Sequence, residues 1–347
     1  MELSLQDFQS QAQVYERLRD AIDRQSFVHA YLITGPDGVG KRSLARLIAQ
    51  GVLCRENGVH PCGTCEACQK IAHGNHADVF TIGSNPKEII KIDTIREEVL
   101  DVVSSHSVEG SHRVIIIENA HKLNTGSQNA LLKTLEEPAP GNIFILVTSV
   151  SRLLLPTIRS RCQELRLHPW QDAELEQMIR RHGIDVSQLP HLLPVWEGSI
   201  GKAIALSQDN AYWQLRQELM DDFLSIRQRS AIVTVSTKWG GKASGKTEAA
   251  EDSPSGHTQM KEHLLDVLEE MIRQLMLVNT GQRPAETLAH YPLPWKKMAQ
   301  GPSIAPFIQV IHAIREAKKM KESNVTWQAV IERLLFQLLE VTIPWQT

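Results

Sequence analysis

The chain has 347 residues, 42% of them hydrophobic and 22% charged, with a net charge of −3. That length calls for two or three domains, each able to bury a core. The near-neutral balance excludes a generally basic nucleic-acid binder, and no apolar run approaches the roughly twenty residues needed to span a bilayer. The opening Met1-Glu2-Leu3-Ser4-Leu5-Gln6-Asp7 lacks the basic and then apolar pattern of a secretory leader, so a reducing, cytoplasmic setting is expected. Cysteines there point to metal rather than to disulfides.

In chain order, Val14, Leu18 and Ile22 recur at helical spacing within Phe8 to Ser26 and predict an amphipathic helix. Ala30 to Thr34 reads as a strand, and Gly35 to Ser43 follows it, with Gly35, Gly40 and Lys41 completing the pattern G-x-x-x-x-G-K around Gly38. Leu44, Leu47 and Ile48 then resume helical spacing, which gives the strand, loop and helix context of a phosphate-binding loop. In such a loop backbone N–H groups curl round an anion, the helix N-terminus adds positive potential, and the lysine reaches the β- and γ-phosphates. The residue after the lysine should be Ser or Thr, to hold magnesium. Here it is Arg42, and Ser43 lies about 100° further round the helix. The loop is therefore expected to cradle phosphate while lacking the metal ligand that hydrolysis requires.

Cys54, Cys62, Cys65 and Cys68 come next, four thiols within fifteen residues. Four thiolates fill the tetrahedral shell of a structural Zn2+ and leave no open position for catalysis. His60 is a competing ligand, and Cys162 is too far along the chain to belong to the set. Asp78 to Ile82 is a second strand, Ile95, Val99, Val102 and Val103 a helical stripe, Val114 to Ile117 a strand buried on both faces, and Ile143 to Val147 another. Between the last two lies a helix carrying Ala130, Leu131 and Leu135, stopped by Pro138. Gln163 to Leu167 alternates polar and apolar residues as a final strand. Strands alternating with helices predict an α/β domain with a parallel sheet covered on both faces.

Glu118 follows the third strand, where a phosphate-loop ATPase carries an acid that steadies magnesium. Asn119 stands where the next acid would orient the attacking water, and an amide cannot accept water's proton. Ser160-Arg161-Cys162 precedes the last strand, flanked by Arg152, Arg159 and Arg166. A guanidinium on a rigid element can stabilise the charge of a transferring phosphoryl group, even one held by a neighbouring subunit; a solvated surface cluster is the plainer alternative.

Composition changes at His168-Pro169-Trp170, after which no strand series is visible. Leu175, Met178 and Ile179 predict a short helix, Gly198 to Ile204 a turn opening another, and these form a small helical domain over 169–208. Helical stripes at Trp213 to Ile226, Leu264 to Val278, Ile304 to Met320 and Trp327 to Val341 make a third, all-helical region over 209–347. Within it 239–257, rich in Gly, Ser, Lys and Glu, is expected to be a flexible excursion.

His29-Ala30-Tyr31, the cysteine module, the run Asn129 to Pro138 and Ser160-Arg161-Cys162 together resemble the bacterial clamp-loader subunits, a group of AAA+ proteins. The likeness is strongest over the first half of the chain. It implies an AAA+ P-loop domain (1–168, with the zinc module 54–68 inserted), a helical lid (169–208) and an all-α collar (209–347) that holds subunits in an open ring. It further implies Arg161 as an arginine finger acting in trans and Thr148, with Ser149, as a polar sensor. Two branches of the family compete, the ATP-hydrolysing gamma or tau motor and delta prime, whose nucleotide site is commonly decayed. Arg42, Asn119 and the lack of a sensor arginine in Gly198-Ser199-Ile200-Gly201 favour the decayed branch. Such a subunit would work with gamma/tau and delta in a hetero-pentamer, act on the sliding clamp and primer-template DNA, contact no membrane, and carry a degenerate ATP site in Gly35, Gly38, Gly40, Lys41, Glu118 and Thr148. A motor ATPase and a free-standing, zinc-containing DNA-binding AAA+ protein are the rival readings. The spacer between Cys54 and Cys62 is one residue shorter than the family usually shows.

Overall fold

A computed structural model of the chain describes residues 3–56, 61–85, 87–104, 107–110, 112–182, 192, 195–226, 229–240, 255–283, 285–288, 291–323 and 325–342. Two compact units emerge: Met1–Ile184 with Glu197–Ile204, and Asp185–Trp196 with Ala205–Thr347.

The first unit is built on five parallel strands, β1 (Ala30–Thr34), β2 (Val79–Ile82), β3 (Arg113–Ile117), β4 (Asn142–Thr148) and β5 (Gln163–Arg166). Their order across the sheet is β2-β3-β4-β1-β5, the parallel α/β architecture expected of an AAA+ domain. Every residue of β1, β3 and β4 is buried, which explains their unbroken apolar runs. At the edge, β5 buries only Leu165 fully, so its sequence alternates. Register pairs Thr34 with Thr148 and Ile117 with Leu146, bringing the ends of β1, β3 and β4 together where ligands of open parallel sheets bind.

Helices α1 (Ala12–Asp23), α2 (Lys41–Leu53), α3 (Glu66–Ala72), α4 (Thr125–Glu136) and α5 (Asp172–Arg181) belong to this unit. The first begins later than its apolar pattern suggests, because Leu5–Ser10 winds as a 3-10 turn capped by Ser4 and Asp7. Ile95, Val99 and Val103 are buried as expected, although Arg96–Leu100 is a π-helical stretch. They pack with Ile115, Ile117, Leu131, Leu135 and Phe144 in one core. Trp170, at the change of composition, is a buried pin of this unit: its indole N–H donates to the Val39 carbonyl at 3.0 Å and its backbone N–H to Gly198 at 3.0 Å.

Helix α6 (Ile200–Gln208) straddles the division between the units. The second unit is helical, with α7 (Asn210–Ser225), α8 (Arg229–Gly240), α9 (Ser255–Asn279), α10 (Leu293–Ala299), α11 (Ala305–Glu322) and α12 (Trp327–Thr342). Phe223, Trp239, Leu268, Trp295 and Leu335 are among its core residues. This corrects the reading of 239–257 at both ends. Trp239 closes α8 with 2% of its surface exposed, its indole N–H on Asp222 at 2.8 Å, and Ser255 already opens α9. A large aromatic side chain gains too much from burial to start a solvated loop. Residues 241–254 lie outside the described residues.

Candidate functional site

The loop between β1 and α2 turns on its glycines. Gly35, Gly38 and Gly40 take φ values of 146°, 76° and 95°, a range that side chains disfavour. At Gly38 the need is also steric, since a Cβ there would lie 1.8 Å from the Ser199 hydroxyl. The Gly201 N–H donates to the Gly38 carbonyl at 2.9 Å, so the first turn of α6 is fastened directly to the loop.

Every charged group of the loop is already engaged within the chain. Lys41 is 8% exposed, and its Nζ donates to the carbonyls of Gly35 (2.9 Å) and Pro36 (2.6 Å) and to the Asp37 carboxylate (3.2 Å). Burial lowers its pKa, and the Asp37 charge opposes that shift. Arg42 reaches across to the end of β3, where its Nε stands 3.0 Å from Glu118 Oε2. Glu118 is 7% exposed at the side chain, so the guanidinium neutralises a nearly buried carboxylate, a place that a cation takes in metal-dependent members of the P-loop class. Asn119 adopts a left-handed φ of 50°, which its short polar side chain tolerates. Its amide is committed to the Gly83 carbonyl at 2.7 Å. Thr148, ending β4, has its hydroxyl 3.2 Å from His121 Nδ1 and accepts from the Val150 N–H at 3.0 Å. Burial lowers the pKa of His121, favouring the neutral ring.

The structure thus brings Lys41, Arg42, Glu118 and Thr148 to the ends of neighbouring elements. Sequence reasoning missed Asp37, His121 and the contact of Ser199 and Gly201 with Gly38, although it read the turn at Gly198 itself. Asp37 had a local signal, lying four residues before the lysine, whereas the other two depend on topology.

The cysteine centre is local. Sulfur atoms of Cys54, Cys62, Cys65 and Cys68 all lie within 4.8 Å of one another, and the Cys62 and Cys68 sulfurs are 4.0 Å apart. Four sulfurs at the usual zinc distance of about 2.3 Å stand about 3.8 Å apart, so the set fits a single tetrahedral ion. Backbone N–H groups point at the sulfurs, Cys62 N–H to Cys54 (3.5 Å), Cys65 N–H to Cys62 (3.3 Å) and Cys68 N–H to Cys65 (3.4 Å). Those from Cys65 and Thr64 pull the Cys62 thiol down to about 6, while burial pushes Cys54 and Cys68 up. His60 lies outside the described residues. The module is tied to the sheet unit by Gln50, whose amide donates to the Cys68 carbonyl at 3.1 Å, and by Lys70, 3.0 Å from Glu109.

Ser160-Arg161-Cys162 closes the short helix Pro156–Arg159 ahead of β5. Cys162 packs against the core, and burial raises its thiol to about 12, so it is an inert anchor rather than a ligand. Arg161 is one-third exposed, with Nη1 donating to the Thr157 carbonyl at 2.9 Å and Nη2 2.6 Å from Glu136 Oε1.

Residues 10–171 match the family model described as DNA polymerase III, delta subunit. The DNA polymerase III subunit delta' of Bacillus subtilis aligns at 29% identity over 95% of this chain and 96% of its own length. These likenesses support a clamp-loader subunit of DNA polymerase III of the delta' type. Subunit delta' of Pseudomonas aeruginosa is 40% identical over 45% of the chain and 48% of its own length. The tau/gamma subunit of Haemophilus influenzae is 35% identical over 58% of the chain, but that match spans only 30% of the relative. Among solved structures, a gamma subunit-related protein of Thermotoga maritima covers 93% of the chain and 98% of its own length at 15% identity and a TM-score of 0.47, too loose a likeness to bear on function.

Proposed function

We propose that this chain is a delta' clamp-loader subunit that does not hydrolyse ATP itself and lends Arg161 to the nucleotide of a neighbouring subunit. The observation that carries the reading is the Arg42–Glu118 ion pair of 3.0 Å. Hydrolysis at a phosphate loop needs a metal held by the residue after the lysine and a group that orients water. Here the first position supplies a fixed guanidinium instead. At the second, the Asn119 side chain is an amide bound to Gly83, which can neither deprotonate water nor take its proton. Lys41 keeps its charge on the loop's own carbonyls and on Asp37, so an incoming phosphate must compete with the chain itself. Zn2+ on Cys54, Cys62, Cys65 and Cys68 supplies a structural cross-link with no open coordination position.

The chain's work is then assembly. An AAA+ module (1–168), a lid (169–208) and a collar (209–347) sit in a cytoplasmic hetero-pentamer with gamma/tau and delta, which loads the sliding clamp on primer-template DNA. Such a subunit contributes a stiff surface and one positive charge to a reaction carried out next door. The test is ATP hydrolysis by the purified chain, alone and after reconstitution with gamma/tau and delta. The expected result is no turnover alone and stoichiometric incorporation into the complex. Turnover by the isolated chain at an ordinary motor rate would instead make it the gamma/tau type of subunit.

A further inference from the structure

Glu136 is the last residue of α4, in the run from Asn129 to Pro138 that the sequence singles out without giving the acid a task. Its backbone is firmly held. Leu131 and Leu135 are buried in the sheet core, Asn124 caps the start of the helix by accepting from the Ser127 N–H at 2.8 Å, and the Glu137 N–H closes the last turn on Lys133. Arg161 is held as firmly from the other side. The Ser160 N–H donates to Pro156 at 2.9 Å, the Arg161 N–H to Ile158 at 3.1 Å, and Cys162 packs against the same core. The guanidinium therefore hangs between two fixed acceptors, the Thr157 carbonyl on Nη1 and Glu136 Oε1 on Nη2.

A guanidinium has five N–H donors, and these contacts draw on two of them. Contact with a single carboxylate oxygen leaves part of the planar fork for a phosphate, so the pair can be kept while the finger works. We propose that Glu136 is a positioning residue for Arg161, orienting the fork toward the neighbouring nucleotide; this rests on the trans-acting role proposed above for Arg161. Both side chains are partly exposed, at 33% and 46%, and exposed pairs contribute little to stability. The effect of losing Glu136 should therefore appear in the rate at the neighbouring site and not in folding or assembly.

The experiment uses the reconstituted complex with Glu136→Ala, Glu136→Gln, Arg161→Ala and the Glu136→Ala/Arg161→Ala double variant, each shown by size exclusion to assemble fully. Single-turnover ATP hydrolysis separates the affected site as a slow phase. Glu136→Ala is expected to slow that phase roughly two- to fivefold, the size set by an exposed ion pair, with the ATP dependence unchanged. Glu136→Gln keeps an acceptor oxygen and should restore most of the rate, and the double variant should match Arg161→Ala alone. A Glu136→Ala complex that is unchanged or faster, or that slows by the same factor in the Arg161→Ala background, overturns the positioning role. Arg161→Ala at the unmodified rate overturns the finger reading itself, a separate outcome.

Discussion

Replacing Arg42 by Thr puts a hydroxyl where phosphate-loop ATPases hold magnesium, yet the structure predicts a loss of stability and no gain of activity. Arg42 is 51% exposed at the side chain, but its partner Glu118 is only 7% exposed and the two stand 3.0 Å apart. The exposed half of the pair is worth little. Removing it, however, leaves a nearly buried carboxylate without its counter-charge, for about 1–2 kcal/mol. That corresponds to a fall of about 3–6 °C in the melting temperature of a unit of this size. Adding Glu118→Gln removes the orphaned charge, so the double variant should recover most of the loss, a coupling that a double-mutant cycle reads directly. Hydrolysis should stay absent, because water still lacks an orienting carboxylate beside Asn119. Urea denaturation of the four proteins and an ATPase assay of each provide the data. Equal stability of Arg42→Thr and the unmodified chain would rule out Arg42 as the counter-charge of Glu118, and ATP turnover by Arg42→Thr would rule out Asn119 as a block to hydrolysis.

The cysteine centre should carry one zinc per chain, read by metal analysis, and Cys65→Ser or a strong chelator should release it and loosen the module around α3 more than the sheet. Four freely alkylated thiols in a metal-free purified protein would remove that expectation. Asp7 is 2% exposed at the side chain and lies 3.0 Å from Arg181 and 3.3 Å from His182. Burial raises its pKa, but hydrogen bonds from Ser4 and Arg181 and the charge of His182 outweigh that and hold it below 3.8. A carboxyl depressed on folding stabilises fully above the unfolded pKa and loses that contribution as pH falls through the lower folded value. Asp7→Asn should therefore cost about 1–3 kcal/mol at neutral pH and flatten the acid limb of a stability-versus-pH curve; an unchanged acid limb would rule the carboxylate out as its source.

What could be read from the chain is what its local chemistry decides. Buried central strands announce themselves as apolar runs, so β1, β3 and β4 fall at Ala30, Val114 and Ile143 within a residue of expectation. The four thiols converge because they are close in sequence, with α3 turning Cys68 back toward Cys65. Helix α8 was illegible: Val233, Thr234, Val235 and Thr237 are poor helix formers, and only packing of Ile232, Val235 and Trp239 in the helical core decides the matter. The ion pairs that give the site its character were invisible for another reason. Arg42 with Glu118, Arg161 with Glu136 and Asp7 with Arg181 each join distant segments, and strand order, not sequence spacing, makes them neighbours.

The positive charge of Arg161 is proposed to act on a nucleotide this chain does not hold. Steady-state, DNA- and clamp-stimulated ATP hydrolysis by complexes carrying Arg161→Ala or Arg161→Lys tests it most directly, with assembly verified in parallel. Arg161→Ala should assemble normally but hydrolyse more slowly, the served site losing on the order of several kcal/mol of transition-state stabilisation. Arg161→Lys should recover little, since a point charge does not reproduce the planar fork. A fully assembled Arg161→Ala complex hydrolysing ATP at the unmodified rate would contradict it.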